Sequence, residues 1–277
     1  MKLSLVISTF NQVESLGKVF AGVRRQTRLP DEILISDDGS GEETRALIQN
    51  FAESITVPVK HVWQPHEGFR KTIILNQTLS TATGDYLVFT DGDCVPHPKY
   101  IADHATLAEK GFWVQGRRCF VIEKHVPEFS AGLLPAFGWM FTGKITGAAK
   151  GVHWPWAIIR RDTHQRGIIG CNMAFWREDL VAVNGYDEEY VGWGTGEDSD
   201  IGTRLYHLGR QRKFVYGRAI TFHLNHPPAP RGHHAASLAR LAETIQTRKI
   251  RCLRGLDQHQ ARKETPSFDH SNEKNPH

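Results

Sequence analysis

Cysteine, long apolar runs and an excess of one charge are all scarce in this sequence. Its 277 residues include four cysteines, Cys94, Cys119, Cys171 and Cys252, and no two of them form a Cys-x-x-Cys pair. That scatter disfavours a zinc site or a disulfide framework, so free thiols in a reducing cytoplasm are the simplest interpretation. The formal net charge of +4 suits anionic ligands without requiring nucleic acid, and we expect no nucleic-acid partner.

No segment has the length and apolarity of a membrane span. The longest charge-free stretch, 129–143, is shorter than the roughly 20 residues that a spanning helix needs. The apolar run at 3–7 is too short for a signal sequence and predicts a first strand. With 40% hydrophobic and 23% charged residues, the composition is typical of a soluble globular protein. We therefore expect a cytoplasmic protein.

Strand and helix patterns alternate through the first hundred residues. Strands are predicted at 3–8, 32–36, 57–63 and 86–90, with helices at 13–25, 42–52 and 69–80. This order is typical of a doubly wound, mostly parallel α/β sheet, as in Rossmann-like nucleotide-binding folds. Three strands end in polar residues, namely Ser8-Thr9, Asp37-Asp38 and Asp91-Gly92-Asp93. Because parallel strands end at one edge of their sheet, these residues predict a single site.

The tripeptide Asp91-Gly92-Asp93 follows a buried strand, at the place where a ligand crevice is expected. Two carboxylates one residue apart can converge on one hard cation, Mg²⁺ or Mn²⁺, which commonly bridges them to substrate phosphates. The alternative is a simple turn, because Asp-Gly is a common turn dipeptide. The other two polar strand ends favour the metal site.

Asp38 follows the second strand and precedes a helix. A buried carboxylate there can accept hydrogen bonds from a nucleotide base or a ribose hydroxyl, and Gly39 allows the ligand close to the backbone. The alternative is a helix cap or an Asx turn. Ser40 could cap the helix instead, which would leave the aspartates available.

The pattern becomes irregular after residue 93. A helix at 99–110 and a strand at 113–115 precede an irregular stretch, 123–164, that contains Trp139, Trp154 and Trp156. Tryptophans there could bind sugar rings, enter a membrane surface or belong to the core. A strand at 170–176 then leads into a helix at 177–183.

Three glycines surround Trp193, and three acids then open a helix predicted at 201–208. Acids at a helix N-terminus are expected from the helix dipole, and this accounts for Glu197 and Asp200. It does not account for the glycines, which indicate a tight backbone that presents a side chain to a ligand.

The C-terminal part begins with a strand at 219–222, followed by His223 and His226, which could complete a metal site. A helix is predicted at 235–256, with an apolar stripe formed by Leu238, Leu241, Ile245, Cys252 and Leu256. Its five basic residues against one acid indicate attraction to an anionic membrane surface or an acidic glycan. A helix packed on the core with a solvated basic face explains the same pattern. Residues 257–277 are predicted to be disordered.

These motifs, in this order, resemble family 2 glycosyltransferases of the GT-A fold, with a C-terminal half of the galactosyltransferase type. The matching pieces are residues 6–11, 37–40, 68–71, 91–93 and 184–198, so the resemblance covers about residues 1–226. It implies a nucleotide-sugar-binding half at 1–118 and an acceptor and catalytic half at 119–228. A basic helix at 229–256 and the tail would follow.

The resemblance implies an inverting transfer from a UDP-sugar to a hydroxyl of a glycan acceptor. By position, Thr9, Asp38, Arg70 and Asp91 would bind the nucleotide, and Trp193 would line the acceptor site. Asp93 would bind Mn²⁺ or Mg²⁺ together with a histidine, for which His223 is the first candidate and His226 the second. Asp198 would be the base, with Glu197 beside it. The acceptor would be a bacterial surface glycan such as lipopolysaccharide or capsule, free or lipid-linked, made at the inner face of the membrane.

The chain departs from the family pattern at Thr195-Gly196, where one residue commonly stands. The extra residue leaves open whether Asp198 or Glu197 is the base. A nucleotidyltransferase is a second hypothesis, but the first strand is followed by Thr9-Phe10-Asn11-Gln12 and not by a glycine- and arginine-rich phosphate loop. A non-catalytic sugar-nucleotide-binding protein is a third, and it leaves both acid pairs without a role.

Overall fold

The computed structural model describes residues 1–129, 138–139, 141–147, 150–154, 156–165, 167–192, 196–227 and 234–260. Strands β1 to β12 are Leu3–Thr9, Glu32–Asp37, Val59–Trp63, Tyr86–Asp91, Cys94–Pro96, Phe112–Gln115, Arg117–Val121, Ile145–Thr146, Ile158–Asp162, Met173–Trp176, Gln211–Tyr216 and Ile220–Leu224. Helices α1 to α8 are Val13–Arg24, Glu42–Glu53, Lys71–Thr81, Tyr100–Leu107, Arg177–Ala182, Glu197–His207, His234–Thr247 and Asp257–Gln260.

The main sheet has eight strands in the order β3-β2-β1-β4-β10-β6-β11-β9. The first four in that order run parallel to one another, and β10 lies antiparallel between β4 and β6. Thr9 pairs with Asp37, and Ser8 pairs with Asp91. The three polar strand ends therefore lie side by side, as the sequence predicts.

Helices cover both faces of this sheet, which explains why its central strands are apolar throughout. Leu5 and Ile7 of β1 point to the side of α1 and α2, where Phe20 stacks on Phe51 with ring centroids 3.9 Å apart. Val6 points to the opposite face, where α3 packs. Burial on both faces gives a strand its continuous hydrophobic run.

A second sheet, in the order β5-β12-β7-β8, closes the molecule beside the end of β4. Within it, His223 of β12 pairs with Cys94 of β5, directly after the Asp91-Gly92-Asp93 loop. The sequence pattern does not predict β5, β7, β8, β9 or β11. In β11 the cause is plain, since Arg212 and Lys213 are both buried and conceal the hydrophobic pattern of the strand.

The predicted helix at 235–256 is wrong in its second half, and its apolar stripe is partly exposed. Helix α7 ends at Thr247, and Arg248 follows with φ of 53°. Leu238 and Ile245 of the predicted apolar stripe are 52% and 37% exposed, whereas Thr244 on a neighbouring face is buried. The Thr244 hydroxyl donates a hydrogen bond to a buried carboxylate of α6, so this position needs a polar residue.

Two smaller expectations also change. The strand predicted at 170–176 begins at Met173, because Gly170–Asn172 forms a 3-10 turn. The tail predicted to be disordered begins with the short helix α8, and residues 261–277 lie outside the described residues.

In the part of the chain that is described, no helix combines the length and apolarity needed to cross a membrane. All four cysteines are free and buried.

Candidate active site

The ends of β1, β2 and β4 form the floor of a cavity of about 500 Å³, a volume typical of small-molecule sites. Thr9, Asp38, Asp91 and Asp93 all line it. Four of the residues that the sequence predicts for donor and metal binding are therefore brought together. The hydroxyl of Thr9 is buried without a hydrogen-bond partner among the described residues, so it is available to a ligand.

Asp38 is held by two neighbours rather than by a helix end. Its carboxylate accepts hydrogen bonds from the amide of Gln64 at 2.6 Å and from the backbone N–H of Arg70 at 2.8 Å. Helix α2 begins after Gly41 without a side-chain cap, so neither Asp38 nor Ser40 caps it. The alternative that Asp38 only caps the helix is therefore wrong.

Arg70 reaches this site through its backbone. Its guanidinium donates hydrogen bonds to the Glu67 carboxylate at 2.8 Å and to the Pro65 carbonyl at 2.6 Å. The side chain is thus bound within its own loop. A nucleotide contact by the Arg70 guanidinium, as the resemblance implies, would require it to leave these partners.

The wall above Asp38 is aromatic. The rings of Phe10 and His66 stack with centroids 4.2 Å apart, and both residues line the cavity. Gly39, at φ of 96°, lies against His66, where a Cβ would come within 2.5 Å of its backbone nitrogen. The glycine therefore lets the loop close over the cavity. Aromatic faces beside a carboxylate are suited to stacking a nucleotide base.

Asp93 is the centre of a cluster of candidate metal ligands. One carboxylate oxygen lies 3.1 Å from Nε2 of His226 and 3.6 Å from Nε2 of His223. The thiol of Cys94 donates a hydrogen bond to the other oxygen at 3.1 Å. Both histidines reach the same oxygen, and among the described residues Asp93, Cys94 and His223 place their ligand atoms within 4.8 Å of one another.

Protonation in this cluster follows from the same contacts. Burial raises the pKa of Asp93, but the hydrogen bond from His226 and the charge of His223 outweigh it, and the net pKa lies below the usual range. The hydrogen bond to Asp93 raises the pKa of His226 to about 9. Burial lowers the pKa of His223. A carboxylate with imidazole nitrogens fits Mn²⁺, and the carboxylate alone fits Mg²⁺.

Lys71 joins the two halves of the site and was not predicted as a site residue. Its ammonium donates a hydrogen bond to Asp91 at 2.7 Å, and the same carboxylate oxygen accepts one from Ser8 at 2.6 Å. Burial lowers the pKa of Lys71, but the charges of Asp91, Asp198 and Glu197 raise it well above its usual value. Its only signal in the sequence is its place in the motif at 68–71.

The acids at the start of α6 have separate roles. Asp200 forms a fully buried ion pair with Arg204 at 2.7 Å, so it is structural. Asp198 lies against Gly170, where a Cβ would come within 2.3 Å of its carboxylate. Burial and the charge of Glu197 raise the pKa of Asp198 to about 7. A carboxylate that titrates near neutral pH is suited to general base catalysis.

Asp198 lies close to the donor cavity but not in its wall. It lines a small adjoining recess together with Lys71, Asp91 and Gly170. Glu197, also predicted for catalysis, is buried at the N-terminus of the same helix. Trp193, predicted to line the acceptor site, lies outside the described residues.

Comparison with known proteins gives the same family that the motifs suggest. The family model described as glycosyl transferase family 2 matches residues 4–175. The model described as N-terminal domain of galactosyltransferase matches residues 156–227. Together they cover both groups of site residues, those of the main sheet and those around α6 and β12.

Curated relatives include polysaccharide synthases. Hyaluronan synthase of Pasteurella multocida is 27% identical in an alignment of 244 residues that covers 81% of this chain and 25% of that protein. Chondroitin synthase of Escherichia coli is 27% identical in an alignment of 250 residues that covers 81% of this chain and 35% of that protein. Validoxylamine A glucosyltransferase of Streptomyces hygroscopicus is 28% identical over 75% of this chain and 48% of its own length. The chain spans a quarter to about half of these relatives.

Solved structures confirm the predicted GT-A fold. The mannosyltransferase PcManGT of Pyrobaculum calidifontis, in complex with GDP-Man and Mn²⁺, matches 88% of this chain and 64% of its own, with a TM-score of 0.58 and 19% identity. TarS of S. aureus, residues 1–349, matches 94% and 68%, with a TM-score of 0.62 and 12% identity.

Proposed function

Because this chain belongs to glycosyl transferase family 2, we propose that it moves a sugar from a UDP-sugar to a hydroxyl of a glycan acceptor, with inversion at the anomeric carbon. One observation carries the proposal. Asp38, Asp91 and Asp93 line one cavity of about 500 Å³, and Asp198 lies in the recess next to it. A donor nucleotide, its diphosphate and an acceptor hydroxyl could thus meet in sequence along one surface.

The donor half binds the nucleotide. Asp38 and Thr9 contact the uracil, and the stacked pair of Phe10 and His66 covers its face. Asp91, held by Lys71 and Ser8, contacts the ribose side. Two anchored carboxylates fix the orientation of the nucleotide, and holding reactants in place lowers the entropic part of the barrier.

Asp93, with His226 or His223, would hold a divalent cation, Mn²⁺ or Mg²⁺. When bound, such an ion stabilises the negative charge that develops on the leaving diphosphate. The structure of PcManGT with GDP-Man and Mn²⁺ shows that a protein of this fold binds both together. The ammonium of Lys71 lies beside Asp91 and adds a second positive charge at this end of the cavity.

The acceptor half supplies the base. An acceptor hydroxyl loses its proton as it attacks, and a carboxylate within hydrogen-bond reach contributes about 10²–10⁴-fold to the rate. Asp198 takes that proton, and Glu197 or Trp193 binds the acceptor. A single base on the face opposite the leaving group produces inversion in one displacement.

The acceptor is a polymer of the bacterial surface, such as lipopolysaccharide or capsule, elongated on the cytoplasmic side of the membrane. Support comes from the relatives named as hyaluronan and chondroitin synthases.

Release of UDP from a panel of UDP-sugars tests the proposed function. With Mn²⁺ present, we expect one donor to release UDP, faster when a glycan acceptor is added, and no release in excess chelator. Asp93→Ala should abolish release and keep the thermal midpoint. Binding of UDP-sugars without release under any condition would contradict the proposal and favour a sugar-nucleotide-binding protein, and so would undiminished release in chelator.

A further inference from the structure

The C-terminal segment exposes apolar side chains that the proposed function does not use. Leu238 and Ile245 of α7 are 52% and 37% exposed, and Ile250 and Leu253 after that helix are 40% and 78% exposed. We call these four side chains, with the basic residues 248, 249, 251 and 254 between and beside them, the C-terminal patch.

Helix α7 displays its apolar stripe outward because its polar stripe is needed inside. Leu238 and Ile245 are seven residues apart and so lie on one face. Ser237 and Thr244, also seven apart, are buried, and the Thr244 hydroxyl binds the carboxylate of Asp200 at 2.9 Å. Exposed leucine and isoleucine side chains on a helix, when further apolar side chains lie near them, are typical of an interaction surface.

The stretch after α7 is fixed to the domain through its backbone. Leu256 N–H donates to the Asn184 carbonyl at 2.9 Å, and the Cys252 carbonyl accepts from the Asn184 side chain at 3.1 Å. Cys252 and Leu256 are buried, and a Cβ on Gly255 would lie 2.1 Å from the Asn184 carbonyl. The anchors hold the backbone close, so the side chains between them must point outward.

The charge of this stretch indicates its partner. Residues 245–256 contain Arg248, Lys249, Arg251 and Arg254 and no acidic residue. Arg251 forms an ion pair with Asp257 at 3.0 Å. Apolar side chains flanked by Lys and Arg are typical of surfaces that lie in the interface of a membrane. A soluble polyanion would satisfy the cations but would leave Leu253 in water.

We propose that the C-terminal patch docks this protein on the surface of a membrane that contains anionic lipid. Each basic residue near such a surface changes the binding constant about fivefold. Insertion of a side chain the size of leucine changes it by about tenfold or more. The patch therefore combines an electrostatic and an apolar contribution, and each can be removed separately.

Vesicle flotation of the full chain tests the proposal without any donor sugar, so its outcome is independent of the proposed function. The vesicles contain phosphatidylcholine alone or mixed with phosphatidylglycerol. We expect flotation only with the mixed vesicles, weakened by high salt. Leu253→Ser should weaken it about tenfold, and the double variant Arg248→Gln/Arg254→Gln about 25-fold, from two fivefold losses.

The double variant Ile158→Ser/Arg160→Gln on β9 is the matched control, because both of its side chains are also exposed, at 63% and 55%. It should float like the wild type. A thermal melt of each variant shows that the fold is kept. Equal flotation with neutral vesicles, unchanged flotation of the patch variants, or an equal loss in the control would overturn the proposal. So would binding that dextran sulfate removes and that Leu253→Ser leaves unchanged, since that result indicates an acidic glycan.

Discussion

Two adjacent aspartates at the end of β2, Asp37 and Asp38, have different roles. Asp37 is buried, and its carboxylate accepts hydrogen bonds from the Ser40 backbone at 2.8 Å and from His61 at 2.8 Å. Burial raises the pKa of Asp37, but these partners outweigh it and the net pKa is low. Asp37 thus fixes the turn, and Asp38 is left to line the cavity.

Asp38→Ala should therefore weaken UDP binding by about 1–3 kcal/mol, the usual cost of leaving a buried partner without its hydrogen bond. Calorimetric titration with UDP measures this change. Asp37→Asn is the matched control, since it removes a neighbouring charge of the same turn. It should lower the free energy of unfolding and keep the UDP affinity. Equal UDP affinity in Asp38→Ala and the wild type would remove Asp38 from the donor site.

Lys71 is the residue whose importance appears only in the structure. It is close to carboxylates from β4 and α6, which are distant from it in sequence. The sequence alone therefore does not show which charged groups surround Lys71. Its positive charge favours the ionised form of Asp198. Lys71 thereby links the donor cavity to the proposed base.

Lys71→Met should shift the acid limb of the pH–rate profile to higher pH. Loss of the positive charge raises the pKa of Asp198 further above its ordinary value, so a higher pH is needed to ionise it. Lys71→Arg retains the charge and should keep the limb near its original position. If Lys71→Met slows the reaction equally at every pH, the lysine acts only on the donor.

At the scale of elements, the 3-10 turn Gly170–Asn172 and the start of α6 form one unit. Gly170 allows the turn to pass directly under the Asp198 carboxylate. Gly196 precedes α6 with φ of 90°, a conformation that favours glycine. The glycine next to the extra residue in this loop thus serves to begin the helix.

Gly170→Ala should lower kcat at least tenfold and keep UDP affinity, because the added methyl group displaces the base and not the donor site. Gly17→Ala in α1 is the control, since nothing lies within 4 Å of its added Cβ. Steady-state kinetics and UDP titration of both variants provide the comparison. Normal kcat in Gly170→Ala would show that Asp198 need not occupy its present position.

The same scale shows why some elements could be predicted and others not. Strands β1, β2 and β4 are apolar on both faces, so composition alone identifies them. Strand β11 contains the buried Arg212 and Lys213, whose charges are compensated by partners far away in sequence. Helix α7 has a clear apolar stripe, but the buried carboxylate of Asp200 decides which face turns inward.

For the whole molecule, the donor half of the site follows from topology that the sequence predicts. Three parallel strands next to each other must place Thr9, Asp38 and Asp91 at one edge. The metal cluster also depends on the second sheet, in which β12 pairs with β5. No local sequence pattern predicts that pairing. The preference for His223 over His226 therefore comes only from the family resemblance, and the structure brings both to Asp93.

The pH dependence of sugar transfer is the most direct test of Asp198 as the base. Because the pKa of Asp198 is raised to about 7, wild-type kcat should rise as the pH passes upward through neutrality and then level off. Asp198→Asn should bind the UDP-sugar normally and lose about 10²–10⁴-fold in kcat, without that rise. Glu197→Gln should keep most of the wild-type kcat, but its rise should move to lower pH, because loss of the Glu197 charge lowers the pKa of Asp198. Full activity of Asp198→Asn, with the loss appearing in Glu197→Gln instead, would contradict the assignment of the base.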